Sequence, residues 1–83
     1  MYQLANEQVL YDWLTHEADL NARLAMLDWL AIFAEEPLAN AQRVPGIRKP
    51  IYLVVTPVRS VTLKFMLFEM LHGVHLIEFG TLP

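Results

Sequence analysis

The sequence predicts an α+β domain, with two N-terminal helices packed on a small C-terminal three-stranded antiparallel sheet. Three observations carry this. Apolar residues between Val9 and Ala31 recur at helical spacing. A β-branched and aromatic run, Ile51 to Thr56, stands between Pro50 and Pro57. Beyond it, two alternating segments flank the turn signal His72-Gly73. At 83 residues the chain is read as one domain, residues 1–83, which buries only about 60–65% of its extended surface on folding.

The first helix follows Asn6, which suits a cap, and carries Glu7 and Gln8 in its first turn. Val9, Leu10, Trp13 and Leu14 then fall on one face. After Thr15-His16-Glu17, Asp19 stands where a second cap is needed. Leu20, Leu24, Leu27 and Ala31 recur at helical spacing, and Arg23 and Asp28 point elsewhere. Met26, Trp29, Leu30 and Phe33 widen the apolar surface beyond what one partner layer needs. Pro37 ends this helix, because proline disfavours helical geometry in the residue before it.

Residues 38–50 lack periodicity and contain Pro45-Gly46, so they are read as a basic linker carrying Arg43, Arg48 and Lys49. Ile51 to Thr56 is the first strand of the sheet. Ser60 to Leu71 alternates as a strand does, although its good helix formers and Gly73 would also suit a helix with a C-cap. The strand is the reading taken. Val74 to Phe79 is its antiparallel neighbour. The expected core holds Trp13, Leu24, Leu27, Leu30, Val54, Phe65 and Ile77, with Trp29 assigned to an interface.

Composition narrows the class. The chain has no cysteine, so disulfides and thiolate metal sites are excluded and a reducing, cytoplasmic setting is expected. Apolar residues make up 55% of the chain, above the usual 45–50% or so. That excess predicts a homo-oligomer or a partner complex, with an interface of about 1,200 Å² or more. Met1 to Glu7 shows no basic residue followed by an apolar run, so no secretory signal is expected. The apolar stretch Val61 to Phe79 is broken by Lys64, Glu69, His72, His75 and Glu78, which argues against a membrane span.

Charge is segregated along the chain. Residues 1–36 hold seven acids and one base, Arg23, for a net of −6, whereas residues 37–83 hold five bases and two acids, for +3. An acidic helical half beside a basic sheet half could orient the molecule against a polyanion.

The order of these elements is similar to that of the RelE/ParE superfamily of bacterial toxins. The residues that carry the resemblance are Ala22-Arg23 with Leu27 and Leu30, then Pro37, the Val44-Pro45-Gly46-Ile47-Arg48 segment, Ile51 to Val55, and the apolar hairpin to Phe79. The family opens with a full strand; here Met1 to Leu4 leave room for a stub at most. The resemblance implies a toxin-like component of a type II toxin–antitoxin system, with a cognate antitoxin as partner. It further implies a ribosome-dependent messenger RNA endonuclease, in which a ribose 2′-hydroxyl attacks the neighbouring phosphate.

Such a reaction needs a base, an acid and cations around the developing phosphorane charge. The candidates are Lys64, Arg59, Arg48 and His75 for catalysis, with Arg43, Arg48 and Lys49 for RNA contact and His72 as a second imidazole. Lys64 stands out because a lysine amid Leu63, Phe65 and Met66 is not explained by packing, although a solvent-facing strand position would also hold one. No basic or tyrosine-bearing segment follows the last strand, so a non-catalytic interaction module stays open as the alternative. His72-x-x-His75 lacks a third ligand, and no metal or cofactor is expected. His16-Glu17 reads as a solvated helix junction. No phosphate-binding glycine loop or serine nucleophile motif occurs.

Overall fold

The computed structural model describes residues 1–82. Strand β1 (Gln3–Ala5) leads into helices α1 (Gln8–His16) and α2 (Leu20–Glu35), and these are followed by β2 (Gln42–Arg43), β3 (Ile51–Val55), β4 (Val61–Phe68) and β5 (Gly73–Thr81). A single 3-10 turn, Glu69–Leu71, links the last two strands and closes at His72, whose φ of 48° is left-handed. The strands form one sheet in the order β1-β5-β4-β3-β2.

The expected three-stranded meander is therefore the centre of a five-stranded mixed sheet. β3, β4 and β5 pair antiparallel as expected. The difference lies at the edges, where the N-terminal stub forms as β1, and β2 was not foreseen. β1 pairs parallel with β5, matching Gln3 to Gly73 and Ala5 to His75. It is fastened from outside its own sequence, by the Tyr2 N–H donating to the Ala34 carbonyl and the Gln3 N–H to the His72 carbonyl, each at 2.8 Å. β2 pairs antiparallel with β3 through Gln42 and Arg43. Its loop is drawn in by the Arg43 guanidinium, which donates to the Arg48 carbonyl at 2.9 Å.

Helix ends follow local chemistry, with one exception. The Asp19 carboxylate caps α2 by accepting from the Asn21 N–H at 2.9 Å, and Pro37 forces Glu36 out of helical geometry. Asn6, by contrast, caps nothing. It sits at φ 61°, a left-handed conformation that asparagine tolerates better than most residues, and its side-chain amide donates to the Leu76 carbonyl at 2.8 Å. Asn6 thus fixes the corner between β1 and α1 against the sheet, and Glu7 takes the cap position without a side-chain bond.

Both helices lie on one face of the sheet. Leu10 of α1 and Ala22, Met26, Leu30 and Phe33 of α2 pack with Val54, Leu63, Phe65, Leu67, Val74 and Leu76. Phe65 is completely buried, edge-on to Phe33 at 4.9 Å between ring centroids and stacked on Tyr52 at 5.7 Å. Leu30, Val54 and Phe65 occupy the core as expected, and Trp13 packs against its margin. Leu24 and Leu27 do not. They lie on the opposite face of α2 and are exposed, as is Leu20. Trp29 is half-buried, stacked on Phe33.

Ile77 also leaves the core, and the reason is a β-bulge. Phe65 pairs with Leu76 but Lys64 pairs with Glu78, so Ile77 is the extra residue on β5. The bulge keeps both Leu76 and Phe79 on the helix side, where Phe79 meets Trp13 at 5.7 Å. In a regular strand Glu78, two residues after Leu76, would point into the core. Deleting Ile77 should accordingly leave all the flanking pairs intact and cost about 1–2 kcal/mol rather than unfold the domain. Inserting an alanine between Glu78 and Phe79 reverses Phe79 and should cost more; chemical denaturation of both variants checks this.

Candidate functional site

Strand alternation assigns the residues of the face that carries no helix. Because Leu63, Phe65 and Leu67 point into the core, Lys64 and Met66 point the other way. Their cross-strand partners share that side: Leu53 and Glu78 beside Lys64, Ile51 and His75 beside Met66. The outcome is an aliphatic floor of Ile51, Leu53 and Met66 that carries one lysine, one histidine and one carboxylate.

Lys64 Nζ lies 3.1 Å from Glu78 Oε1, with the two side chains 37% and 61% exposed. An ion pair this open to water contributes about 0–1 kcal/mol, so it can be exchanged for contacts with a ligand at little cost. His75 is the diagonal neighbour of Lys64, a relation that places Cα atoms about 7–8 Å apart. Glu78 was not among the residues singled out from the sequence. The signal that could have found it is its own misplacement, an acid in phase with buried Val74 and Leu76, which only a bulge can turn outward.

The remaining candidates are spread more widely. Arg48 and Lys49 are exposed in the loop before β3, with Arg43 folded back onto their carbonyls. Arg59 lies at the other end, in the turn between β3 and β4, where φ is 45°. About 14 Å of β3 separates the two ends at 3.4 Å per residue. Arg59 pairs with the Glu17 carboxylate at the end of α1, and Arg23 donates to the Glu17 carbonyl. The structure thus pairs Lys64 with Glu78, sets His75 on the same face, and leaves Arg48 and Arg59 at opposite ends of the sheet. His72 sits beside β1, its ring stacked on Tyr2 at 5.0 Å. Among the described residues, no three His, Asp or Glu side chains gather as metal ligands, and no helix is long and apolar enough to cross a membrane.

The architecture defines a class: a two-helix layer on one side of a mixed five-stranded sheet, with β1 at one edge parallel to its neighbour. This is the fold of the RelE-like toxins. The isolated RelE toxin of E. coli superposes on the whole of this chain, with a TM-score of 0.71, 19% identity and 86% of the RelE chain covered. At that identity the likeness establishes the fold and not the activity. No protein-family model matches the sequence, and no curated protein matches it significantly.

Proposed function

We propose that the chain is the toxin-like component of a bacterial toxin–antitoxin pair, acting on translation in the cytoplasm and silenced by a cognate antitoxin. The observation that carries this reading is the superposition of the entire chain on the RelE toxin. On this reading the open sheet face receives messenger RNA on the ribosome.

Lys64, His75 and Glu78 then divide the chemistry of RNA cleavage. The 2′-hydroxyl oxygen attacks the adjacent phosphorus as Glu78 takes its proton, and His75 gives a proton to the departing 5′-oxygen. Protonation of Glu78 frees the Lys64 ammonium, 3.1 Å away, to stabilise the phosphorane oxygens. Arg48 and Lys49 contact flanking phosphates from their loop, which Arg43 braces from β2, and each lost contact weakens binding without regard to sequence. Arg59 contributes only by leaving Glu17.

The test is inducible expression in a bacterium, with and without the chromosomal neighbour of the gene. Growth arrest relieved by the neighbour is the expected result. Lys64→Met keeps most of the side-chain volume and removes the charge; it should fold normally and relieve the arrest, with a loss of cleavage of about 10²-fold or more.

A second reading is a non-catalytic interaction module, favoured by the pairing of Arg59 with Glu17 and of Lys64 with Glu78. Growth that continues while folded protein accumulates would support it over the first.

A further inference from the structure

The turn between β4 and β5 sends its largest apolar side chains into water. Phe68 ends β4 half-exposed, and in the 3-10 turn that follows, Met70 and Leu71 are 98% and 80% exposed. A single 3-10 turn has three residues per turn, so its side chains radiate from it and cannot all lie back on the sheet. His72 closes the turn in a left-handed conformation, with its carbonyl accepting the Gln3 N–H at 2.8 Å and its ring stacked on Tyr2. These bonds anchor the base of the turn and leave its tip uncovered. Adjoining exposed apolar side chains of this kind mark a contact surface.

Two cations stand behind the tip. The Leu67 N–H donates to the Pro50 carbonyl at 3.0 Å, which draws the loop before β3 alongside the end of β4. Arg48 and Lys49 directly precede that proline and are exposed. Among the described residues neither is held in an ion pair. Residues 37–77 hold five bases and one acid, Glu69, which lies in the turn itself. A convex apolar tip with cations set behind it matches the layering of an anionic lipid surface, where acyl chains lie beneath the phosphates. RNA would engage the cations and leave Met70 and Leu71, which have no ring to stack on a base, without a role. A second copy would have to take the tip into a groove elsewhere on the chain, a head-to-tail contact that runs on into filaments unless its rotation closes.

We infer that the β4–β5 turn and the loop before β3 form a peripheral attachment site for an anionic lipid surface. Met70 and Leu71 enter the boundary of the acyl chains with Phe68 at its edge, and Arg48 and Lys49 bind the headgroup phosphates. Glu69 opposes them. The attachment is shallow and reversible, because two or three apolar side chains and two cations supply far less than a membrane-spanning helix. Lys64 and Glu78 lie outside this site, on the open face of the sheet.

The experiment is flotation of the purified chain with vesicles of phosphatidylcholine and phosphatidylglycerol, compared with vesicles of phosphatidylcholine alone. Binding to the anionic vesicles should be about tenfold tighter or more and should weaken as salt is added. Met70→Ser with Leu71→Ser, both at exposed positions, should weaken it about tenfold or more with an unchanged melting curve, and Glu69→Gln should strengthen it. The chain has no cysteine, so a polarity-sensitive dye on Leu71→Cys reports the tip alone. Its emission should shift to the blue on anionic vesicles, while the same dye on Ser60→Cys, in the turn at the far end of the sheet, should not shift. Absence of binding, equal binding to both vesicles, indifference to the Met70 and Leu71 changes, or equal shifts at the two dye positions overturns the assignment. So does single-stranded RNA binding that the Met70 and Leu71 changes abolish, or a wild-type oligomer in sedimentation that they dissociate, since the tip would then belong to RNA or to a second copy. Growth arrest takes no part in this assay, so its result stands apart from the toxin-like reading.

Discussion

Placing a carboxylate on the inner face of α2 is expected to unfold the protein, while the same change two residues away on the outer face is tolerated. Met26→Glu removes a completely buried side chain and sets an unpaired charge among Leu63, Phe65 and Leu76. An unpaired buried charge costs several kcal/mol even after relaxation, and the lost apolar packing adds about 2–5 kcal/mol. A small domain holds about 5–15 kcal/mol in all, so the variant should lose its cooperative transition. Leu24→Glu lies on the half-exposed outer stripe and should change stability by about 1 kcal/mol or less. Circular dichroism melting of the two variants measures the contrast.

Phe65→Ala is expected to cost about 3–5 kcal/mol without abolishing the fold outright. Phe65 joins the two layers: its ring meets Phe33 of α2 edge-on and Tyr52 of β3 face-on, and such aromatic pairs add about 0.5–1.5 kcal/mol each beyond their buried area. Phe65→Leu, which leaves a smaller void, should recover more than half of the loss. Urea denaturation gives both values, with the slope of the transition reporting whether the denatured state has changed.

The parts of the fold that were legible in the sequence are those whose local chemistry agrees with their surroundings. Ile51 to Val55 is β-branched and aromatic between prolines, Asp19 is a good cap, and Pro37 cannot be passed by a helix. β2 was not legible as a strand, and β1 only as a stub, because both are short and hold mostly residues of weak strand preference; β1 is fastened by bonds to Ala34 and His72. The inward face of α2 was misread for a different reason. Periodicity identifies a stripe but not its direction, and α2 carries apolar residues on both faces, Leu20, Leu24 and Leu27 outside and Ala22, Met26, Leu30 and Phe33 inside. Lys64 was visible as a charge inside an apolar strand. Its partner Glu78 was not, because the alternation that set Ile77 in the core placed Val74, Leu76 and Glu78 together on the outer face, whereas Val74 and Leu76 are buried and only Glu78, past the bulge at Ile77, lies outside.

The same bulge also shapes the candidate site. It sets Glu78 beside Lys64 on the open face, and it lets Phe79 reach Trp13 on the other. One irregularity in β5 thus supports both the helix packing and the chemistry proposed for the sheet.

The measurement that bears most directly on a translation-directed toxin is the rate of labelled amino-acid incorporation in the minutes after induction, compared between wild type and Lys64→Met at equal levels of folded protein. A translation-directed toxin should give an early fall in incorporation for wild type, ahead of any fall in RNA synthesis, and little change for Lys64→Met. Undiminished incorporation while folded wild-type protein accumulates would contradict it.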